Sequence, residues 1–371
     1  MSKSKIIYPD FPEKEYKKSS FKDIYKDNIK SESNKENISS SKEERNSIGI
    51  CAPSAGVGHK LESFDLSTKR LKEFTQCEIV ETESVRVNAS PSATPLARGS
   101  ELNSLLANPN IKMVIAATGG DFNYDMLRYI DLDLLRNRPI WFAGYSDPTC
   151  ITMLITTKLD IATIYGFNAG TFDWPQLHSF QKNALEIIKG NIVKQNSYKF
   201  FDDAVTYSGE YKMTKPVRTE LFNCSKDTIS AKSSIHFRGR LIGGCTEVID
   251  TISGTPFQDI IGFMKRHNDE GFIWYFDTFN LDHIELYIKI CKMRDMGYFD
   301  STNLIIFGRV MFKKGSKDTE YISLIKKAID GIPFIWGADI GHTKPSMTLI
   351  NGSIGEILYK DGKMTLSMEL S

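Results

Sequence analysis

Paired cysteines are missing from this sequence. Its six cysteines, at positions 51, 77, 150, 224, 245 and 291, make no C-x-x-C spacing and sit singly in apolar segments, where a reduced thiol behaves as a small hydrophobe. Neither a disulfide framework nor a cysteine zinc site is indicated. The six histidines are equally scattered, without H-E-x-x-H or H-x-H, so a metallopeptidase has no ligand set and no metal or other cofactor is expected. Net charge is nearly absent: 47 basic residues against 46 acidic leave +1, which gives no field to hold nucleic acid or an anionic membrane. The opening Met-Ser-Lys-Ser-Lys-Ile-Ile-Tyr-Pro contains no apolar export core, and apolar runs elsewhere stop far short of a membrane span. The expectation is a cytoplasmic protein.

What is present is ordinary globular composition, with 41% apolar and 25% charged residues in 371, enough for two domains. Residues 1–46 are Lys-, Glu-, Ser- and Asn-rich and read as a polar, loosely ordered segment, apart from the apolar island Ile6-Ile7-Tyr8-Pro9, which is able to dock on the body. From Ser47 short apolar runs ending in small residues (48–53, 77–80, 112–117, 139–143) alternate with stretches of helical period (67–75, 102–107, 148–158). This alternation predicts an open α/β sheet over 47–195. Residues 196–235 are polar and Lys-rich and read as a junction. Over 236–371, runs at 240–245, 272–276, 303–308 and 333–336, with a helix at 281–293, predict a smaller α/β domain.

Open α/β sheets present their chemistry on loops leaving the carboxyl ends of strands. Gly144-Tyr145-Ser146-Asp147-Pro148-Thr149 is such a loop. A serine held in a tight strand-to-helix turn can serve as a nucleophile, although serine before Asp-Pro also suits a helix N-cap, and the G-x-S-x-G elbow is not matched. His342, set among Gly and Pro after a predicted strand, is the best-placed base; the ordinary alternative is a solvated loop histidine. His59 and His178 lie in polar loop text, and His283 opens a helix. The orienting carboxylate is Asp277, at the end of Ile273-Trp274-Tyr275-Phe276, or alternatively Glu247, after Gly243-Gly244-Cys245-Thr246. The Gly119-Gly120 turn exposes backbone donors suited to an anion.

Taken in order, Ile48-Gly49-Ile50-Cys51-Ala52-Pro53-Ser54, Ala117-Thr118-Gly119-Gly120, Gly144-Tyr145-Ser146-Asp147, Gly239-Arg240-Leu241-Ile242-Gly243-Gly244-Cys245 and Asp339-Ile340-Gly341-His342 resemble the LD-carboxypeptidase and microcin-C self-immunity family of serine peptidases. The resemblance implies a flavodoxin-like amino-terminal domain carrying nucleophile Ser146, and a smaller carboxyl-terminal domain carrying the acid and general base His342. It also implies an oxyanion hole from backbone N–H groups of Asp147 and the Gly119-Gly120 turn, and a homodimer. The substrate would be a small peptide or a peptide–nucleotide conjugate: the L,D bond of a muropeptide or a microcin-C-type antibiotic. For the latter, Trp174, Trp274 and Phe279 are candidate shelves for a base. The sequence departs from the family pattern in Asp277, where the family has Glu, and in Thr118, where relatives often carry Arg. It also differs in the polar stretch that separates Tyr8-Pro9 from the first strand. The shorter acid keeps a second function open, a non-catalytic member that binds its ligand without turnover.

Overall fold

The computed structural model describes residues 4–12, 46–202, 213–222, 234–329 and 331–371. Most of the polar 1–46 segment, and Cys224, lie outside these. The strands in chain order are β1 (Ser47–Cys51), β2 (Glu78–Glu81), β3 (Ile111–Ala116), β4 (Trp141–Gly144), β5 (Thr163–Tyr165), β6 (Gln195–Asn196), β7 (Phe200–Phe201), β8 (Lys215–Pro216), β9 (Glu220–Phe222), β10 (Ile235–Cys245), β11 (Phe272–Asp277), β12 (Thr302–Gly308), β13 (Phe334–Ala338), β14 (Leu349–Asn351), β15 (Ile354–Lys360) and β16 (Lys363–Glu369).

The first sheet runs β2-β1-β3-β4-β5 with every pair parallel, which is the flavodoxin-like order. Covered on both faces, its central strands need no polar alternation, and β1 and β4 are buried throughout. The helices Leu61–Thr75, Pro95–Ala107 and Thr149–Leu159 follow β1, β2 and β4. In Pro95–Ala107, Thr94 caps the amino end by accepting the Ala97 N–H, and a proline occupies the first turn. The first two helices begin earlier than the apolar period alone indicated, at Leu61 and Pro95, where the apolar Leu61 and Leu96 are exposed.

The second sheet has a parallel centre, β10-β11-β12-β13, as the runs at 240–245, 272–276, 303–308 and 333–336 predict. Antiparallel strands extend it on both sides: β15, β16 and β6 next to β10, and β9 next to β13. Among the described residues it therefore has eight strands against six in the first sheet. Parts of the stretch read as a junction supply β6 and β9, which are too short to produce a periodic signal. The two sheets are tied together by the chain itself, because β14, from the carboxyl-terminal half, pairs antiparallel with β5. Asn351 at its end accepts the Gly243 N–H at 3.0 Å and the Tyr275 hydroxyl at 2.8 Å.

The amino-terminal island docks on the first unit. Ile7 makes a parallel bridge to Ile161, Ile6 is buried, and the Tyr8 hydroxyl donates to the Gly352 carbonyl at 2.8 Å. Phe11 stacks on Trp141 with ring centroids 4.6 Å apart. Among the described residues no helix is long and apolar enough to cross a membrane.

Candidate active site

Ser146 follows β4 in a turn where its own φ is +70°, a left-handed conformation uncommon for a residue with a Cβ and frequent at functional turns. Its carbonyl accepts the Thr149 N–H at 2.9 Å and the Thr149 hydroxyl at 2.6 Å, which pins the turn to the start of the following helix. The serine side chain is not a cap, since Pro148 precedes that helix and no side chain caps it. Ser146 Oγ instead lies 3.0 Å from Nε2 of His342, 196 residues further along the chain.

The other ring nitrogen of His342, Nδ1, lies 2.9 Å from each carboxylate oxygen of Asp277, and the His342 backbone N–H donates to Oδ1 at 3.2 Å. Asp277 is completely buried at the end of β11, paired in register with Cys245. The shorter acid reaches the imidazole because the loop before His342 comes in close. Gly341 has φ +102°, and a Cβ there would stand 2.0 Å from Asp277 Oδ1. Arg309 braces the same loop, donating to Asp339 at 2.6 Å, the Thr343 hydroxyl at 3.0 Å and the Pro345 carbonyl at 3.2 Å.

Sequence reasoning did not find Tyr165, whose short strand carries no spacing signal. Its hydroxyl donates to Asp277 Oδ2 at 2.6 Å and accepts the Ser146 N–H at 3.4 Å, so one buried phenol touches both acid and nucleophile. Burial, reinforced by the Asp277 charge, pushes this phenol well up, so it remains a donor. Burial alone would raise the Asp277 carboxyl; the His342 ring and the bonds from His342 and Tyr165 outweigh it and hold the group below the usual carboxylate range. The rings of Tyr145 and Phe279 flank the imidazole at 4.9 and 4.6 Å.

Glu247, the other acid considered, does not reach the imidazole. Its Oε1 accepts the Phe279 and Asn280 N–H groups at 3.0 and 2.8 Å, cradling the loop that leaves Asp277. Asp147 is buried, and its carboxylate accepts the Asn123 N–H at 2.9 Å. Burial raises its carboxyl to about 6. The glycine turn lies directly against the serine: a Cβ on Gly119 would come within 3.1 Å of Ser146 Cβ and Oγ. Gly120, Asp147 and Ser146 line the same cavity, of about 870 Å³. At Thr118, where the family resemblance implies Arg, the Lys60 ammonium approaches the hydroxyl at 3.4 Å, so a cation reaches this turn from a different element.

Of the three aromatic shelf candidates, Trp174 and Phe279 line the cavity. Trp274 does not: it is fully buried in the second sheet's core, stacked on Phe276 and Tyr298. Its position in a strand buried on both faces makes it a core residue. Among the other histidines, His59 lines the cavity, His178 caps the helix Ser179–Ile188, and His283 Nδ1 lies 2.8 Å from Ser316 Oγ. Among the described residues no group of three or more His, Cys, Asp or Glu side chains is placed to hold a metal ion.

Two α/β units meeting at a cleft, with a hydroxyl from one against an imidazole and a carboxylate from the other, define a two-domain α/β protein with a serine–histidine–acid site. The chain belongs to the LD-carboxypeptidase family: residues 48–166 match its amino-terminal domain and residues 238–357 its carboxyl-terminal domain. It is 28% identical over 269 residues to the microcin C7 self-immunity protein MccF of Escherichia coli, covering 70% of this chain and 74% of that protein. It is 24% identical over 278 residues to a putative carboxypeptidase of Vibrio cholerae, covering 70% and 76%. Among solved structures, MccF in complex with glutamyl sulfamoyl guanosine superposes with a TM-score of 0.69 at 22% identity, over 88% of this chain and 96% of that one. An MccF-like protein from Streptococcus pneumoniae in complex with AMP gives 0.71 at 20% identity, over 88% and 99%.

Proposed function

We propose that the protein hydrolyses a peptide-like amide through a covalent acyl intermediate on Ser146. The observation that carries this reading is the unbroken relay from Ser146 Oγ to His342 Nε2 at 3.0 Å and from His342 Nδ1 to Asp277 at 2.9 Å. Ser146 Oγ attacks the carbonyl carbon as His342 Nε2 takes its proton. The oxyanion is received by backbone N–H groups of Asp147 and the Gly119-Gly120 turn. His342 then returns the proton to the leaving amine, and water, activated by the same nitrogen, releases the acid. Asp277 holds the ring in the tautomer that leaves Nε2 free to accept, and stabilises the cation that forms.

The substrate is a small peptide or peptide–nucleotide conjugate, either the L,D bond of a muropeptide or a microcin-C-type antibiotic. Trp174 and Phe279 on the cavity wall suit a nucleobase in the second case. Ligand binding without turnover was suggested by the shorter acid; the 2.9 Å contact to the imidazole favours catalysis over it. The reading includes the cytoplasmic location and the homodimer implied by the family resemblance, the latter checked by light scattering. The test of activity is incubation of the purified protein with an L,D-tetrapeptide and, separately, with aspartyl sulfamoyl adenosine, products being followed by mass spectrometry. Cleavage of one, abolished in Ser146→Ala, supports the proposal. Tight binding without product from either overturns it.

A further inference from the structure

Lys344 follows His342 by two residues and belongs to the wall of the same cavity. Its residue is only 7% exposed. Of the three donors an ammonium carries, one has a long 3.3 Å bond to the Gly341 carbonyl. Among the described residues no carboxylate lies within ion-pair distance of it. Around it stand the Tyr145 ring, 4.5 Å from Nζ to centroid, and the Phe180 ring at 5.9 Å. These faces soften the loss of water but do not replace a counter-ion. The two charged neighbours that act on it are already committed. Asp277 is bonded to His342 and Tyr165, and Arg309 is paired with Asp339. Lys60, another ammonium of this cavity, approaches the Thr118 hydroxyl at 3.4 Å and has Asp173 as its attractive neighbour, as Lys344 has Asp277.

A buried cation whose donors are left unfilled among the described residues is costly unless an anion completes it. The cavity beside Lys344 is where the reacting substrate would sit. We propose that Lys344 is a specificity-determining residue that binds an anionic group, a carboxylate or comparable oxyanion, lying within a few bonds of the scissile amide. This rests on the reading of Ser146 as nucleophile only in placing the amide; the anion site stands on the geometry of Lys344. Tyr145, whose ring contacts both the His342 ring and the Lys344 ammonium, links recognition of the anion to the reacting groups. Burial also lowers the Lys344 ammonium to about 8, and a bound anion would draw it back to full charge.

Two matched pairs of probes test this: an L,D-tetrapeptide with a free terminal carboxylate against its carboxamide, and aspartyl against asparaginyl sulfamoyl adenosine. In at least one pair the wild-type protein should prefer the acid by about 10- to 100-fold in kcat/KM. Lys344→Met should collapse that ratio toward one, chiefly through KM, and Lys344→Arg should restore part of it. Because the ratio compares two ligands on one protein, a general loss of folded protein does not mimic the effect. If neither amide is cleaved, calorimetry with Ser146→Ala protein reads the same ratios as Kd. Discrimination without turnover then sinks the hydrolase reading and leaves this inference standing. Equal handling of acid and neutral probe in both pairs, a ratio unchanged in Lys344→Met, or no binding of any acidic probe overturns it.

Discussion

The Tyr165 hydroxyl lies 2.6 Å from Asp277 Oδ2, and through it the first sheet of the protein grips a carboxylate delivered by the second. Removing that hydroxyl leaves a buried carboxylate short of a donor. Tyr165→Phe is expected to lower stability by about 1–3 kcal/mol and kcat/KM by roughly tenfold, with KM little changed. Since the Asp277 carboxyl is held below its ordinary range, its contribution to stability is present above the unfolded value and is lost as pH falls through the lower folded value. Tyr165→Phe removes one of the lowering interactions, so its acid unfolding midpoint should move to higher pH. Denaturation monitored between pH 2 and 7 measures this.

Ser146→Ala should reduce turnover by at least about 10⁴-fold while leaving the circular dichroism spectrum and melting temperature near the wild type. A variant that retained more than a hundredth of the activity would remove the serine from the role assigned to it.

The acid can be probed in both directions. Asp277→Asn should cost about 10⁴-fold in kcat by losing the charge and the preferred imidazole tautomer. Asp277→Glu restores the residue type implied by the family resemblance, but the pocket is closed around the shorter chain, with the His342 N–H, the imidazole and Tyr165 all in contact. Its kcat should therefore fall by roughly 10- to 100-fold, and a faster Asp277→Glu enzyme would mean that the acid is poorly placed.

Gly341→Ala puts a methyl group where Asp277 Oδ1 now lies, at a φ of +102°. About 1–3 kcal/mol of strain is expected, together with loss of roughly 100-fold in turnover as His342 moves away from Ser146. Steady-state kinetics and thermal melting of this one variant test both.

Phe11→Ala should destabilise the first unit by about 2–3 kcal/mol, because the half-buried ring stacks on Trp141. Chemical denaturation followed by tryptophan fluorescence reports it, and no change would mean that the Phe11 stacking on Trp141 contributes no stability.

Much of the fold was legible locally. The apolar runs at 112–117 and 272–276 mark central parallel strands because burial on both faces removes the need for polar residues, and β3 and β11 fall there within a residue or so. The strands β6 to β9 were not legible, since two or three residues show no period. The strands β14 to β16 were not read either: β15 and β16 widen the second sheet beyond the size expected, while β14 joins the first. Trp274 was misread as a shelf candidate because aromatic content alone does not distinguish a core strand from a cavity wall.

The sequence by itself determined two α/β units and offered a serine, a histidine and two possible acids on loops after strands, because strand periodicity and turn chemistry act over a few residues. Only the tertiary structure decided which side chains meet. Asp277 rather than Glu247 stands beside His342, Tyr165 bridges acid and serine, and the buried Lys344 lines the same cavity. The physical reason is that contact between groups nearly two hundred residues apart depends on how two sheets pack, and that packing is set by burial and hydrogen bonding across the whole chain.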